Sequence, residues 1–181
     1  MVNATFTDEM KELLASMVGK RFVSYECSKD SFSRAFGNMR INFDGRSIEL
    51  TNEEQTFPLF DGEEDMTCFA CKVVDSKRPF EPDVVAETTV TDVNKSITSI
   101  EVVTDTIEVN NGEYSIVYDM ALIFHMGESV LMVSRDTWFS ELITIKENDD
   151  YNQAFSVDDQ KESWSNDGEY KVNVKRVRKS I

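Results

Sequence analysis

The side chains that most often carry covalent chemistry are scarce in this chain of 181 residues. It has three cysteines and a single histidine, His125. A nucleophilic triad would have to use that histidine, which directly follows the apolar run 120–124, and the chain lacks a G-x-S-x-G elbow. Neither of the common glycine-rich phosphate loops occurs. The sequence therefore predicts no catalytic residue, no cofactor and no enzymatic activity.

Two of the cysteines, Cys68 and Cys71, have C-x-x-C spacing. A second such pair is missing, so a zinc ion would need a carboxylate ligand, which is uncommon. Residues 66–74 have the pattern of a strand, which would put the two sulfurs on opposite faces. We therefore expect them, with Cys27, to be buried apolar side chains. The odd cysteine number and the lack of a signal sequence predict reduced thiols and a cytoplasmic location.

Clustered carboxylates could hold a hard cation such as calcium. Residues 61–65 read Asp-Gly-Glu-Glu-Asp, and residues 148–150 read Asn-Asp-Asp, but neither has the twelve-residue spacing of an EF-hand. Because the chain has 34 acidic residues, such clusters arise by chance. The sequence predicts no metal site. A metal-dependent hydrolase using these acidic loops is the alternative function.

The charge of the chain is its most unusual property. The 34 acidic and 19 basic residues give a net charge of −15. The last 11 residues hold five of the bases and no acid, so the first 170 carry 14 bases against 34 acids, a net −20. Such a body repels nucleic-acid phosphates and attracts basic proteins. Direct nucleic-acid binding is therefore disfavoured, except through the basic residues Lys175, Arg176, Arg178 and Lys179.

Residues 134–141 read Ser-Arg-Asp-Thr-Trp-Phe-Ser-Glu and form the most distinctive run. One interpretation is a recognition surface anchored by Arg135 and Trp138. The other is a structural corner in which Trp138 covers a sheet edge and Arg135 pairs with an acid. The run resembles stretches of small, uncharacterised bacterial β-rich proteins, which have a Trp-containing corner between two strands. That resemblance covers about residues 114–145 and implies no known activity.

Local patterns predict mainly β-structure after one N-terminal helix. The helix is expected over residues 7–18, capped by Thr7 or Thr5, and residues 156–164 could form a second helix. The pairs of strands expected around Asp44-Gly45, Asn110-Asn111-Gly112 and Gly127 read as hairpins. Residues 61–65 are expected to be an acidic loop, and residues 170–175 a final strand with a basic face.

A weak internal sequence repeat suggests how these strands are organised. Residues 39–50 resemble residues 120–131, with an offset of about 81 positions. We therefore expect a single domain over residues 1–181, with one β-meander at 21–74, a second at 96–145, and a C-terminal helix and basic strand at 156–181. The predicted fold is mainly β (α+β), an antiparallel sandwich or half-open barrel with the amphipathic helix covering one side.

The function that these properties favour is that of a non-enzymatic acidic interaction protein. It would act as an inhibitor or nucleic-acid mimic by docking on a basic, nucleic-acid-binding partner. This general profile is similar to that of acidic phage-encoded inhibitors such as anti-CRISPR proteins. Besides Arg135 and Trp138, the expected partner-binding residues are acidic: Asp61, Glu63, Glu64, Asp65, Asp149, Asp150, Asp158 and Asp159. A soluble accessory domain is a further alternative, and no membrane span is expected because the longest apolar run is 120–124.

Overall fold

A computed structural model describes residues 1–28, 35–59, 62–83, 87–165 and 168–181. Within them the chain is mainly β-structure, arranged as two sheets that pack face to face. Neighbouring strands are antiparallel except for one short parallel pair. The predicted mainly β, antiparallel architecture is therefore confirmed. The sandwich is the form adopted, and no closed barrel occurs among the residues described.

The elements follow one another in a regular order along the chain. They are β1 (Val2–Ala4), α1 (Asp8–Ala15), β2 (Arg21–Ser28), β3 (Ala35–Phe36), β4 (Asn38–Phe43), β5 (Arg46–Leu59), β6 (Gly62–Val74), β7 (Thr88–Ser96), β8 (Ser99–Val109), β9 (Tyr114–Met126), β10 (Ser129–Arg135), β11 (Leu142–Glu147), α2 (Tyr151–Ala154), α3 (Val157–Ser165) and β12 (Val172–Ser180). The first sheet has the order β6-β5-β4-β2-β7. The second has the order β12-β8-β9-β10-β11-β3, with β1 pairing β9.

The two sheets share one connectivity. In the first, β2, β4, β5 and β6 form a meander, and β7 returns to pair beside β2. In the second, β8 to β11 form a meander, and β12 returns to pair beside β8. The chain thus contains two meanders of the same strand order. β1 and β3 come from the first half of the chain but complete the second sheet.

The hairpin turns lie where the sequence places them. Gly45, between β4 and β5, has a φ of +72°, and Asn110 and Asn111, between β8 and β9, have φ values of 50° and 61°. Glycine and asparagine tolerate this left-handed region, which explains their presence at these turns. The prediction differs from the structure in the strand after the first meander. The second meander, expected from residue 96, begins at Ser99, because Ser96 ends β7 in the first sheet and residues 97–98 lead to β8 in the second.

Residues 62–65, predicted to be a loop, are instead part of strand β6. They extend a long hairpin in which Thr56 pairs with Asp65 and Leu59 pairs with Gly62. Only residues up to Thr51 of β5 also pair with β4, so the rest of the hairpin projects beyond the neighbouring strand. Pro58 lies in this projecting part, where a missing backbone N–H is tolerated.

The second sheet is buried on both faces. Leu122 and Phe124 of β9 belong to the apolar cluster between the two sheets, where Phe124 meets Phe22 edge to face. Ile123 belongs to a second cluster on the opposite face, as the alternation of side chains along a strand requires. The distal part of the β5–β6 hairpin and helices α2 and α3 cover this second cluster.

The two predicted helices are confirmed with slightly shifted ends. Thr7 caps α1 by accepting a hydrogen bond from the Met10 backbone N–H. Leu14 and Met17 are fully buried in the apolar cluster between the two sheets. Helix α3 follows Ser156, whose hydroxyl accepts a hydrogen bond from the Asp159 backbone N–H. The final basic segment is an ordered strand that pairs with β8 over its whole length.

Candidate interaction surface

The β5–β6 hairpin has the most one-sided charge in the chain. Between Arg46 and Lys72 the sequence contains seven acidic residues and no lysine or arginine. Five of the acids that the structure describes there are exposed on the projecting part of the hairpin: Glu53, Glu54, Glu63, Glu64 and Asp65. Asp61, the remaining expected anchor in this segment, lies outside the described residues. We call residues 53–59 and 62–65 the distal hairpin.

The distal hairpin is held in place by its apolar side chains. Leu59 and Met66 are buried in the second cluster, and Phe57 packs against the same cluster. The Thr56 hydroxyl donates a hydrogen bond of 2.7 Å to the carboxylate of its cross-strand partner Asp65. Because the inner side chains are anchored, the outer carboxylates are presented to solvent on a fixed element.

The segment between β10 and β11 lies against the base of the distal hairpin. The backbone N–H of Thr67 donates to the Trp138 carbonyl at 2.9 Å, and the Asn52 side chain donates to the Ser140 carbonyl at 2.9 Å. These bonds bring Glu141 close to β5. Phe139, in the same segment, has 56% of its surface exposed and meets Trp138 edge to face.

Asp83 approaches the same place from the loop that follows β6. Its backbone N–H donates to the side-chain oxygen of Asn38 at 3.2 Å. One of its carboxylate oxygens lies 2.5 Å from the position that a Cβ atom would occupy at Gly37, whose φ is +71°. Only glycine fits this close approach and this backbone angle together. We call Glu53, Glu54, Asp83 and Glu141 the acidic corner.

Like charges crowd one another in the acidic corner. Burial raises the pKa of Glu141, and the negative charges of Glu54, Asp83 and Glu53 raise it further. The pKa of Asp83 is raised in the same way, by burial and by Glu49 and Glu53, against a smaller opposing effect of Lys72. The carboxylates therefore share one surface whose repulsion a cationic partner would relieve.

The other acidic residues expected to bind a partner have local structural roles. Asp150 caps α2 by accepting a hydrogen bond from the Gln153 backbone N–H, and Asp149 lies 3.9 Å from the Lys146 ammonium. Asp158 and Asp159 occupy the first turn of α3, where negative charge is favourable, and Asp158 pairs with Lys161 at 3.0 Å. These four residues belong to the α2–α3 region and not to the acidic corner.

Arg135, expected as a surface anchor, requires a correction because its side chain is completely buried. Its guanidinium donates to the Thr67 hydroxyl at 3.0 Å and to the Trp138 carbonyl at 3.2 Å, and it lies 4.7 Å from the centre of the Tyr118 ring. Burial lowers its pKa. No carboxylate of the described residues forms an ion pair with it, so the expected pairing with an acid is not seen either. Arg135 joins the hairpin to the second sheet and offers nothing to a partner.

The Trp138 side chain packs against helix α3. Its ring stacks on Trp164 of α3 with 4.6 Å between the centres, and its indole N–H donates to the Ser163 carbonyl at 3.4 Å. Trp138 is half-buried, whereas its neighbour Phe139 is exposed. Phe139 is therefore the aromatic side chain of this run that is available to a partner.

The basic C-terminal strand is partly neutralised by the protein itself. Arg176 makes two hydrogen bonds of 2.7 Å to Asp105, and both side chains are buried. Arg178 donates to Glu101 at 2.6 Å, and the same carboxylate lies 2.9 Å from Nε2 of His125. Lys175 and Lys179 remain exposed. The histidine is thus placed in an ion-paired cluster at the sheet surface.

The three cysteines are buried and form no disulfide. Cys68 belongs to the second apolar cluster and Cys71 to the cluster between the sheets, so their sulfurs lie on opposite faces as predicted. Burial raises the pKa of Cys71 to about 12 and also raises that of Cys68. Within the described ranges, no group of three or more histidine, cysteine, aspartate or glutamate side chains is arranged to hold a metal ion.

Sequence reasoning did not find Glu53, Glu54, Asp83, Glu141 or Phe139. The signal available for the first two was the absence of lysine and arginine between residues 46 and 72. Nothing in the local sequence indicates that Asp83 and Glu141 join them, because they come from loops that follow different strands.

Comparisons with known proteins give no further guide to this surface. The chain matches no protein-family model, no curated protein and no solved structure. Among the described residues, no helix is both long enough and apolar enough to cross a membrane.

Proposed function

We propose that this protein is a non-enzymatic acidic interaction protein that binds a basic protein surface through the distal hairpin and the acidic corner. The observation that carries the proposal is the clustering of Glu53, Glu54, Asp83 and Glu141, where burial and then the neighbouring negative charges raise the pKa of Asp83 and Glu141. Cationic side chains of a partner would remove this repulsion as they bind. Their charge would also be attracted at long range by a chain of net charge −15.

The exposed Phe139 gives this surface an apolar contact beside its carboxylates. Binding energy is usually concentrated in a few aromatic and well-packed side chains, whereas surrounding charges govern association rate and specificity. The partner surface we propose therefore combines lysine or arginine with an apolar depression that receives Phe139. The distal hairpin and the β10–β11 segment would both contact this partner surface.

The class of partner we favour is a nucleic-acid-binding protein, with this chain acting as an inhibitor that mimics the nucleic acid. On a strand, carboxylates two residues apart on one face are separated by about 6.8 Å, which gives a regular line of negative charge. Glu63 and Asp65 have this relation on β6. The profile is that of acidic phage-encoded inhibitors of the anti-CRISPR type, acting in the cytoplasm, where buried thiols stay reduced.

The experiment measures displacement of nucleic acid. Bacterial proteins retained on heparin are loaded with a fluorescent oligonucleotide, and release is followed by anisotropy as the full-length protein is added at about 50 and about 200 mM salt. We expect displacement at the lower salt and a clear loss at the higher. The variant Glu53→Gln, Glu54→Gln, Glu63→Gln, Glu64→Gln should displace at least tenfold less well.

The matched control carries the same charge change elsewhere. Glu108, Glu128, Glu147 and Glu162 are exposed and lie outside the hairpin, so replacing all four by glutamine should leave most of the displacement. Equal losses in the two variants would show that only net charge matters and would contradict a hairpin site. Absence of displacement by the wild-type protein at low salt would contradict the proposed function itself.

A further inference from the structure

A loop folds back over the outer face of the first sheet and is held there by one arginine. The Arg40 guanidinium donates to the carbonyls of Arg78 and Pro79 at 2.7 and 3.1 Å, and it lies 5.6 Å from the centre of the Phe80 ring. Asn38 donates to the Glu81 carbonyl at 3.0 Å. We call residues 75–83 the strap. Because consecutive carbonyls are fixed from the sheet, the strap forms a defined wall.

An open-sided cleft of about 370 Å³ lies between the strap and strands β4 to β6. Small-molecule sites in proteins commonly measure about 300–1,000 Å³, so this cleft matches a small ligand at the lower end of that range. It is separate from a cleft of about 240 Å³ beside Asn111 and Lys171. The size of the strap cleft suits a ligand with few heavy atoms and one short side chain.

Among the described residues, basic and acidic side chains line the cleft in equal number. Its lining includes three basic residues, Arg40, Lys72 and Arg78, and three acidic residues, Glu49, Asp75 and Glu81. Some of these charges are already engaged, since Lys72 pairs with Glu49 at 3.1 Å. The side-chain nitrogen Nε of Arg40 is buried and has no hydrogen-bond partner among the described residues. Arg78 and Glu81 are exposed and lie on the strap itself.

This lining favours one class of small ligand over the others. A simple anion would be repelled by the net charge of −15, and a simple cation would find three basic side chains at the cleft. A zwitterion has no net charge, and its carboxylate and ammonium groups can each meet the opposite sign within the cleft. Val73, which is 59% exposed, and the neighbouring Val74 and Pro79 supply an apolar side.

We propose that the strap cleft binds a small zwitterion of the amino-acid type with an aliphatic side chain. The carboxylate lies toward Arg78 and the buried Arg40, the ammonium lies toward Glu81, and the side chain contacts Val73 and Pro79. This site is distinct from the distal hairpin, because none of the described hairpin carboxylates lines it, although Asp83 of the acidic corner ends the same strap.

The first measurement is calorimetric titration of the full-length protein with leucine, N-acetyl-leucine and leucine amide, each up to about 10 mM. A zwitterion site requires both charged groups, so leucine should bind at least tenfold more tightly than either blocked form. Binding of N-acetyl-leucine as tight as leucine would show an anion site and overturn the proposal. No heat of binding from leucine over this range would overturn it as well.

Two variants test the location without disturbing the strap. Arg40 holds the carbonyl and not the side chain of Arg78, so Arg78→Gln should leave the fold intact, and Glu81→Gln should do the same. Each should weaken leucine binding at least tenfold. The matched controls are Lys171→Gln and Glu108→Gln at the 240 Å³ cleft, which should leave the affinity unchanged. Equal effects of the two pairs would contradict binding at the strap, and unchanged thermal unfolding would exclude a folding defect.

Discussion

At the scale of single residues, the two buried arginines of the second sheet differ in how their charge is compensated. Arg176 has a carboxylate partner, Asp105, which accepts two of its hydrogen bonds. Arg135 has only neutral acceptors and the ring of Tyr118 among the described residues. Burying a charged group reduces folding stability by several kcal/mol unless nearby groups compensate the charge. Removing one partner of a buried ion pair therefore strongly destabilises the folded protein.

The Arg176–Asp105 pair gives the first prediction. Asp105→Asn leaves the Arg176 guanidinium buried opposite a neutral group, and we expect unfolding in urea to show a loss of about 3–5 kcal/mol. The control is Arg178→Gln, which breaks a half-exposed pair with Glu101 and should cost about 1 kcal/mol or less. Similar losses in both variants would mean that Arg176 is solvated in the folded protein.

The second prediction concerns the cysteines. Thiol reactivity needs the thiolate, and burial raises the pKa of Cys71 to about 12. All three cysteines are buried, so the native protein should react with no equivalent of a disulfide reagent at pH 8 within minutes, and with three equivalents in urea. Fast reaction of one thiol in the native protein would show that a cysteine becomes exposed by local opening.

At the scale of elements, the acidic corner depends on contacts between segments that are distant in the chain. The β10–β11 segment meets the hairpin through Asn52 and Thr67, and Asp83 arrives from the strap. The hydrogen bonds that fix these elements come from backbone groups, from the Asn38 and Asn52 amides and from the Arg40 guanidinium, and not from the carboxylates of the acidic corner. The carboxylates can therefore change without loss of the scaffold that carries them.

The third prediction follows from the repulsion in this corner. Burial and neighbouring charges raise the folded-state pKa of Glu141, so its ionised form destabilises the fold. Because solvent screens this partly exposed group, Glu141→Gln should stabilise the protein at pH 7 and low salt by only about 0.3 kcal/mol, while weakening displacement of nucleic acid. The gain is complete above the raised pKa and disappears below 4.5, the ordinary value, where Glu141 is protonated in both states.

Thermal unfolding between pH 3 and pH 7 measures this gain. Glu128→Gln, at the exposed turn before β10, serves as the control and should change neither stability nor displacement. A stabilisation by Glu141→Gln that persists at pH 3 would show that the glutamine packs better and that repulsion is not the cause.

Much of the fold follows from local sequence, whereas the acidic corner does not. Turn residues such as Gly45 and Asn111 need only their own backbone angles, so their hairpins can be predicted. Residues 62–65 were misassigned because both faces of that strand carry acids, which removes the alternation that marks a half-buried strand. β7 was missed for a similar reason, since it is an edge strand with alternate residues only half-buried.

The corner itself requires knowledge of which loops meet. Glu54 and Glu141 become neighbours only after the two sheets have packed, and a single sequence holds no signal for that. Arg135 shows that burial of a charged residue is equally hard to predict from the sequence. An arginine that ends a strand is normally exposed, but here Thr67, Trp138 and Tyr118 enclose it.

At the scale of the whole molecule, the excess of acids opposes the compact state. The net charge is −15, and folding brings the negative side chains closer together. Their mutual repulsion therefore destabilises the folded state. Salt screens such repulsion over distances of about 10 Å at 0.1 M. The distal hairpin carries many exposed acidic side chains and no basic one. It should therefore account for most of the gain in stability on adding salt.

The fourth prediction is therefore a rise in stability with salt. Between about 10 and about 200 mM sodium chloride we expect the wild-type protein to gain about 1 kcal/mol, equivalent to about 2–4 °C in Tm. The hairpin variant with four glutamines should gain less than the control with Glu108, Glu128, Glu147 and Glu162 replaced. A larger gain in the hairpin variant would place the main repulsion elsewhere.

The first half of the chain contributes β1 and β3 to the second sheet, and this has a consequence for how the chain holds together. Each half of the chain supplies five consecutively paired strands of one sheet. The second sheet nevertheless also contains β1 and β3, which come from the first half of the chain. We therefore expect that neither half folds without the other. Cleaving the peptide between residues 97 and 98 would produce two fragments that stay unstructured apart and regain the native sandwich only when mixed.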